Sequence, residues 1–358
     1  MYFRLFFLYR KSWEKIRSPL ITNNLHFVSV IVACRNEDKN ILNLIYDLKN
    51  QNYDIDRFEL IIVNDHSNDN TLSILNSEML KCPNLKVINL NDSIYGKKNA
   101  IREAVKIARG EIVLCTDADC RVGDMWLLSM VSYFSKMNCK FVSGPVVLNR
   151  NDSFFAKYQY LELISLISSS ASAIIRGKAT LCNGANLAFR KSDYLLIPEN
   201  IFNDFSSDDV SLLHFFKNKY HNSIYFAKEK EAIVTTLLSY DLMDYFRQKM
   251  RWIYSARFLR DSDTILVSIL VFLMNLSIPF TFFFILNPSE YFFSILFFLI
   301  SIIKILIDYF YLKSVFKFFT VVDSLLYILP FSIINSVLTV VIVPLSFIVS
   351  HKWKGRKI

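Results

Sequence analysis

Between residues 27 and 252 the chain alternates between two hydrophobic periods. Runs such as Phe58-Glu59-Leu60-Ile61-Ile62-Val63 and Glu111-Ile112-Val113-Leu114-Cys115-Thr116 are short, apolar and rich in β-branched residues. That is the pattern of strands buried on both faces of a parallel sheet. Strands are predicted at 27–33, 60–63, 86–90 and 112–116. Between them apolar residues recur at helical spacing. Ile41, Leu42, Ile45 and Leu48 mark a helix over 39–51, and a second is expected from about Asp69. Ala100, Ile101, Ala104, Val105 and Ala108 mark a third over 98–109, which Gly110 is expected to stop. Strand–helix repetition of this kind predicts an α/β fold with a mostly parallel, doubly wound sheet.

After residue 263 the pattern becomes almost wholly apolar. Residues 264–286 carry no charge and suffice to cross about 30 Å of hydrocarbon as a helix. Residues 291–312 are also long enough. Their two charges, Lys304 and Asp308, lie four apart on one helical face and are expected to pair. A third stretch, 321–350, is broken by Pro330 and Pro344. The four parts expected are therefore an N-terminal segment (1–26), an α/β domain (27–263), a membrane region (264–350) and a basic tail (351–358). In the N-terminal segment Arg4 and Arg10 interrupt an apolar run, which suits an amphipathic helix lying in the membrane interface.

Charge bias orients these parts. The connection Asn287-Pro288-Ser289-Glu290 has no basic residue and suits the outer side, whereas Lys313 and Lys317 suit the cytoplasm. A single crossing by the third stretch puts the tail outside, while its basic residues favour the inside; a re-entrant third segment satisfies both. The net charge of +9 includes clusters at both ends, Arg4, Arg10, Lys11, Lys15 and Arg17, then Lys352, Lys354, Arg356 and Lys357. They point to anionic lipid headgroups. No basic, aromatic-interleaved face on a known module speaks for nucleic acid. The six cysteines show no CxxC pair and no zinc spacing, so they read as reduced, small apolar residues in a reducing compartment.

The candidate chemistry sits where strands end. One predicted strand runs into Asn64-Asp65-His66-Ser67 and another into Asp117-Ala118-Asp119. Ligands of such sheets bind beyond the carboxyl ends of the strands. A carboxylate at one strand end and a pair at another suit a ligand that brings hydroxyls, a diphosphate and a divalent metal. After the first strand stands Arg35-Asn36-Glu37, with no Gly-x-Gly-x-x-Gly, and no Walker loop is present. Dinucleotide binding and a backbone phosphate cradle are thereby disfavoured.

Taken in order, Arg35-Asn36-Glu37, Asp65-x-Ser67-x-Asp69-x-Thr71, Gly96-Lys97-Lys98-x-Ala100, Asp117-Ala118-Asp119, Asn183-Gly184-Ala185-Asn186, Asp208-Asp209 and Gln248-x-x-Arg251-Trp252 resemble the family 2 glycosyltransferases. These are membrane-associated inverting enzymes with the GT-A fold. The resemblance implies that Arg35, Glu37, Asp65 and Lys97 bind the nucleotide sugar. It implies that Asp117 and Asp119, the DXD pair, engage the nucleotide and a Mg²⁺ or Mn²⁺ on its diphosphate. Asp209 is then the expected base, which takes the acceptor hydroxyl's proton, and Asp208 supports or replaces it. Within the QxxRW motif, Arg251 is expected to hold the departing diphosphate, and Gln248 and Trp252 to face the acceptor sugar. Asn183 to Asn186 is expected to shape the donor-sugar pocket, and loops over 153–180 to set acceptor specificity. His66 stands where the family usually has Gly or Asp.

The function these features imply is metal-dependent transfer of a sugar from a nucleotide-sugar donor, UDP-linked by expectation, to a lipid-linked or cell-envelope glycan acceptor. The expected place is the cytoplasmic face of a bacterial inner membrane, crossed several times by the chain. A homo-oligomer or envelope-biosynthesis partners are compatible with it. A processive polysaccharide synthase is the alternative within the class, and the short membrane region favours transfer of one sugar. A sugar nucleotidyltransferase is the alternative outside it, though Asp208-Asp209, Gln248–Trp252 and the membrane region have no task there.

Overall fold

The computed structural model describes residues 1–19, 26–136, 138–149, 152–199, 201, 208–239, 241–256, 258–321, 325–349, 352–353 and 356–357. Its centre is a seven-stranded sheet. Four strands follow the sequence expectation within two residues at each end: β1 (Val28–Cys34), β2 (Phe58–Asn64), β3 (Leu85–Asn89) and β4 (Ile112–Asp117). Every residue of β2 is buried, which an apolar run flanked by β1 and β3 and covered on both faces requires.

The chain then adds β5 (Arg121–Val122), β6 (Phe141–Ser143), β7 (Val146–Leu148), β8 (Leu187–Arg190), β9 (Ile224–Phe226) and β10 (Val234–Thr236). The large sheet runs β3-β2-β1-β4-β8-β6-β9. Only β8 is reversed, pairing antiparallel with both β4 and β6. Strands β5, β10 and β7 form a small second sheet. Register fixes the functional edge, because β1 places Cys34 opposite Asn64 and Ala33 opposite Asp117. The residues that follow β1, β2 and β4 therefore emerge side by side.

Two local expectations are corrected. The third helix spans Lys97–Ile107 and has ended before Gly110, with Ala108 already extended. Gly110 is needed for space instead: a Cβ there would lie 2.4 Å from the Ser29 amide nitrogen. The stretch expected to form loops over 153–180 contains a 22-residue helix, Phe154–Ile175, whose first turn is capped by Ser153 Oγ accepting from the Ala156 N–H at 3.1 Å.

Three C-terminal helices, Ser262–Ile285, Tyr291–Phe319 and Leu325–Ile348, are each long and apolar enough to cross a membrane. Polar side chains join them internally. Ser336 Oγ donates to Asn275 Oδ1 at 2.7 Å, and Ser301 Oγ to Ser277 Oγ at 3.2 Å. The expected Lys304–Asp308 pair forms at 2.7 Å. The N-terminal helix, Tyr2–Lys15, docks on the second of the three, with Tyr2 Oη donating to Asp308 Oδ1 at 2.6 Å and Trp13 Nε1 to Ser314 O at 3.1 Å. Phe154–Ile175 joins the same platform, since Tyr160 Oη donates to Phe319 O at 3.0 Å. All six cysteines are free, and five are buried.

Candidate active site

At the carboxyl edge of β1, β2 and β4 the structure gathers most of the acidic residues singled out above. Asp65, just past β2, is 1% exposed. Its Oδ2 accepts from the Gly96 N–H at 3.0 Å, and its Oδ1 lies 2.9 Å from His66 Nδ1. It does not cap the helix that follows. The N-cap residue of that helix is Asn70, and Asp69 Oδ1 accepts from the N–H of its first residue, Thr71, at 3.0 Å. Gly96 has a φ of +94°, which a side chain would strain, and this turn lets its amide face Asp65 as the chain enters the next helix. His66 also has positive φ (+55°), which explains why a position usually held by Gly or Asp sits there; His is among the residues that tolerate it.

Lys97, the first residue of its helix, ion-pairs with Asp117 at the end of β4. Its Nζ also lies 3.1 Å from where a Cβ on Gly184 would stand, and Asp209 Oδ2 lies 3.3 Å from that point. The Gly184 N–H donates to Asp209 Oδ2 at 2.7 Å. Gly96-Lys97 and Gly184 thus string Asp65, Asp117 and Asp209 along one edge. Asp209 opens the helix Asp208–Lys219, and its other oxygen accepts from the Val210 N–H at 2.9 Å. The side chain of Asp208 lies outside the described residues.

Asp119 follows in the tight turn after β4. Burial, together with Asp117 and Glu37, pushes its carboxyl up to about 6. Crowding of carboxylates around one ammonium favours a cation. Among the described residues no group of three His, Cys, Asp or Glu side chains is placed to hold a metal ion. Asp117 and Asp119 nevertheless fit Mg²⁺ or Mn²⁺, because hard cations of this kind take one or two carboxylates and complete their shell with substrate phosphate and water.

Arg35 and Glu37 line the same edge through the backbone. An Arg35 guanidinium nitrogen donates to Asp65 O at 3.0 Å, and the Glu37 N–H donates to Thr71 Oγ1 at 2.8 Å. Glu37 Oε2 accepts from Asn40 Nδ2 at 2.8 Å. In the Asn183–Asn186 segment, only Gly184 reaches the acidic edge by a hydrogen bond among the described residues. Asn186 is fully buried and structural: its Nδ2 donates to Pro145 O and Ala232 O, both at 2.8 Å, and its Oδ1 accepts from Trp126 Nε1 at 3.0 Å.

Gln248, Arg251 and Trp252 lie on the amphipathic helix Leu242–Ala256. No hydrogen bond or ion pair among the described residues ties them to the acidic edge. Arg251 is half-buried, has no carboxylate at ion-pair distance among the described residues, and is pulled below its usual pKa by that burial. Trp252 is 41% exposed. Sequence reasoning missed what supports it. Lys249 Nζ stands 4.6 Å from the Trp252 ring centroid and is held by Glu162 Oε2 at 2.6 Å. Only the i, i+3 spacing of Lys249 and Trp252 hinted at the first contact. Nothing local pointed to Glu162. The backbone donors Gly96 and Gly184 were also missed as donors, although both glycines stand inside quoted motifs.

Known proteins resemble this chain in sequence and in fold. Residues 29–195 match the family described as Glycosyl transferase family 2. A β-monoglucosyldiacylglycerol synthase from Nostoc sp. is 31% identical over 145 residues, which is 40% of this chain and 31% of that protein. A poly-β-1,6-N-acetyl-D-glucosamine synthase from Staphylococcus epidermidis is 32% identical over 168 residues, 46% of this chain and 40% of that protein. The chain therefore matches well under half the length of these relatives. A mannosyltransferase from Pyrobaculum calidifontis, solved with GDP-Man and Mn²⁺, superposes with a TM-score of 0.53 at 20% identity, covering 71% of this chain and 70% of that one. Its likeness establishes the fold. With its mostly parallel sheet, its acidic strand-end edge and the match over residues 29–195, the chain is similar to glycosyl transferase family 2 over that region and has the GT-A fold.

Proposed function

We propose that this chain is an inverting, metal-dependent glycosyltransferase. It moves a sugar from a nucleotide-sugar donor, UDP-linked, to a lipid-linked or cell-envelope glycan acceptor at the cytoplasmic face of a bacterial inner membrane. The observation that carries the reading is the linkage of Asp65, Asp117 and Asp209 through Gly96-Lys97 and Gly184 along one strand edge. A nucleotide diphosphate lying across the ends of β2, β1 and β4 meets hydrogen-bonding groups, cationic groups and a base in that order.

Asp65 holds the loop that receives the nucleoside, with Arg35 and Glu37 beside it. Lys97 and Arg251 supply positive charge to the diphosphate. Arg251 suits that role because it is half-buried without a carboxylate partner among the described residues, so an anion gains a poorly hydrated guanidinium. Asp117 and Asp119 would hold a divalent cation, which would supply further neutralisation of the leaving diphosphate. Asp209 takes the proton of the acceptor hydroxyl as that oxygen attacks the anomeric carbon from the face opposite the leaving group, which inverts configuration. Trp252, backed by Lys249 and Glu162, offers an aromatic wall to the acceptor sugar.

The relatives in Nostoc and Staphylococcus are named as a glycolipid synthase and a polymer synthase. One sugar per acceptor is the reading favoured here. The membrane helices and the interface-lying N-terminal helix, which exposes Phe3 and Phe7, support work at a lipid surface. The test uses the detergent-purified chain with UDP-, GDP- and dTDP-sugars, Mn²⁺ or Mg²⁺, and membrane lipid extract. Release of one nucleotide diphosphate, lost with EDTA and in Asp209→Asn, is expected, with a product one sugar longer. Failure to turn over or bind any donor in the presence of metal defeats the reading, and a ladder of product lengths defeats single transfer.

A further inference from the structure

The helix that presents Asp209 in its first turn is gripped at its far end by the membrane region. Lys217 Nζ donates to Asp261 Oδ2 at 2.7 Å and to Asp263 Oδ2 at 2.9 Å. The Lys217 and Asp261 side chains are only 11% and 7% exposed, so solvent and salt screen this contact little. Asp261 is also the N-cap of the first membrane helix, with its Oδ1 accepting from the Thr264 N–H and Oγ1, both at 2.8 Å.

A second arm leaves the same turn. Lys178 Nζ donates to Asp263 Oδ1 at 2.9 Å, and Thr264 Oγ1 lies 3.4 Å from Thr180 O. Two residues further along, Cys182 Sγ donates to Asp209 O at 3.1 Å; two more, and the Gly184 N–H donates to the Asp209 carboxylate at 2.7 Å. His214 Nε2 closes the space between the arms, 3.3 Å from Thr264 Oγ1. Both arms begin in the first turn of the membrane helix and end on Asp209, one reaching its helix and the other its carboxylate and carbonyl.

We propose that Lys217, Asp261 and Asp263 are positioning residues, which use the first membrane helix as the fixed reference against which the Asp209 carboxylate is aimed. The proposal rests on Asp209 being the base. Eight residues of helix separate Lys217 from Asp209, about 12 Å at 1.5 Å per residue, so a tilt of about 5° at the anchor moves the carboxylate by about 1 Å. A displacement of that size can cost about 100-fold in rate. The donor's nucleotide contacts β1, β2 and β4 instead and is left in place, so the loss falls on kcat.

The experiment takes the full chain in lipid nanodiscs with UDP-glucose and UDP-N-acetylglucosamine, Mn²⁺ and lipid extract, and compares Lys217→Met, Lys217→Arg and Asp209→Asn. Hydrogen–deuterium exchange is followed over residues 178–186 in parallel. Lys217→Met is expected to lower kcat at least tenfold with donor KM within twofold, Lys217→Arg to recover most of it, and exchange at Gly184 to accelerate in the methionine variant alone. Wild-type kcat in Lys217→Met beside an inactive Asp209→Asn overturns the anchor and leaves the base intact. Wild-type turnover in Asp209→Asn overturns the base itself. Unchanged exchange over 178–186 in Lys217→Met overturns the anchor whatever the donors do.

Discussion

Replacing Glu59 by Gln is expected to weaken the fold at neutral pH, spare turnover, and lose its effect in acid. Glu59 lies in β2 and is fully buried, yet it is surrounded by donors. Ser29 Oγ donates to it at 2.7 Å, the Arg109 N–H at 2.6 Å, Lys86 Nζ at 2.7 Å and Arg109 Nε at 3.1 Å. Burial alone raises its carboxyl, but Lys86, the Arg109 backbone, Ser29 and the Arg109 guanidinium hold it down from 4.5 to about 2. At about 1.4 kcal/mol per pH unit that difference is worth about 3 kcal/mol. Lys86 and Arg109 are themselves 43% and 60% exposed, so solvent reduces the effective figure to about 2 kcal/mol. Because the folded pKa is depressed, this contribution is complete above about 4.5 and fades as pH falls toward 2. In a domain of this size about 2 kcal/mol moves the melting temperature by about 4–8 °C. Intrinsic-fluorescence melts of wild type and E59Q at pH 7, pH 3 and pH 2 are therefore expected to show that gap at pH 7, about two fifths of it at pH 3 and little of it at pH 2. Five residues of strand, about 17 Å, separate Glu59 from Asn64 at the site edge, so turnover per folded molecule should stay within about twofold. A gap of the same size at all three pH values, or none at pH 7, refutes the reasoning.

Three further outcomes are expected. On the proposed reading, Asp117→Asn should cut turnover by at least about 100-fold and raise the Mn²⁺ or Mg²⁺ concentration needed for half activity, since it removes a proposed metal carboxylate together with the partner of Lys97; a metal titration of the variant checks this. Gly144→Ala should destabilise by about 2 kcal/mol or more, read as a lower melting temperature, because its Cβ would lie 2.3 Å from Asn186 Nδ2 and force that buried amide off its carbonyl partners. Tyr2→Phe should lower the melting temperature by a few degrees, the worth of about 1–2 kcal/mol for a lost hydrogen bond to a charged, part-buried Asp308, with little change in donor KM.

What the sequence made legible was local. The strands that carry Arg35, Asp65 and Asp117 stood out because strands buried on both faces must be apolar at consecutive positions. The Lys304–Asp308 pair was legible because four residues make one helical step. The helix Phe154–Ile175 was hidden: it is buried nearly all round and rich in serine and alanine, so no apolar stripe marks a face. The reversed strand β8 has four residues, too few for a periodicity to show. Gly110 looked like a helix stop because its constraint, the approach of Ser29 from 81 residues away, leaves no trace nearby. Lys217 and Asp261 were unreadable as partners for the same reason, being 44 residues apart.

The docking of the N-terminal helix on the second membrane helix also orders events during synthesis. Tyr2 and Trp13 find their partners at Asp308 and Ser314, about 300 residues later, and Lys228 Nζ clamps Trp13 from between, donating to its carbonyl at 2.6 Å. At about 5–20 residues per second the ribosome takes about 15–60 s to deliver those partners. Throughout that interval the face bearing Tyr2, Tyr9 and Trp13 has no native surface to cover it on the second membrane helix, and a nearby bilayer is the obvious temporary shelter. The helix Tyr2–Lys15 would then be among the last elements to settle, held at the membrane until residues 291–319 had been made.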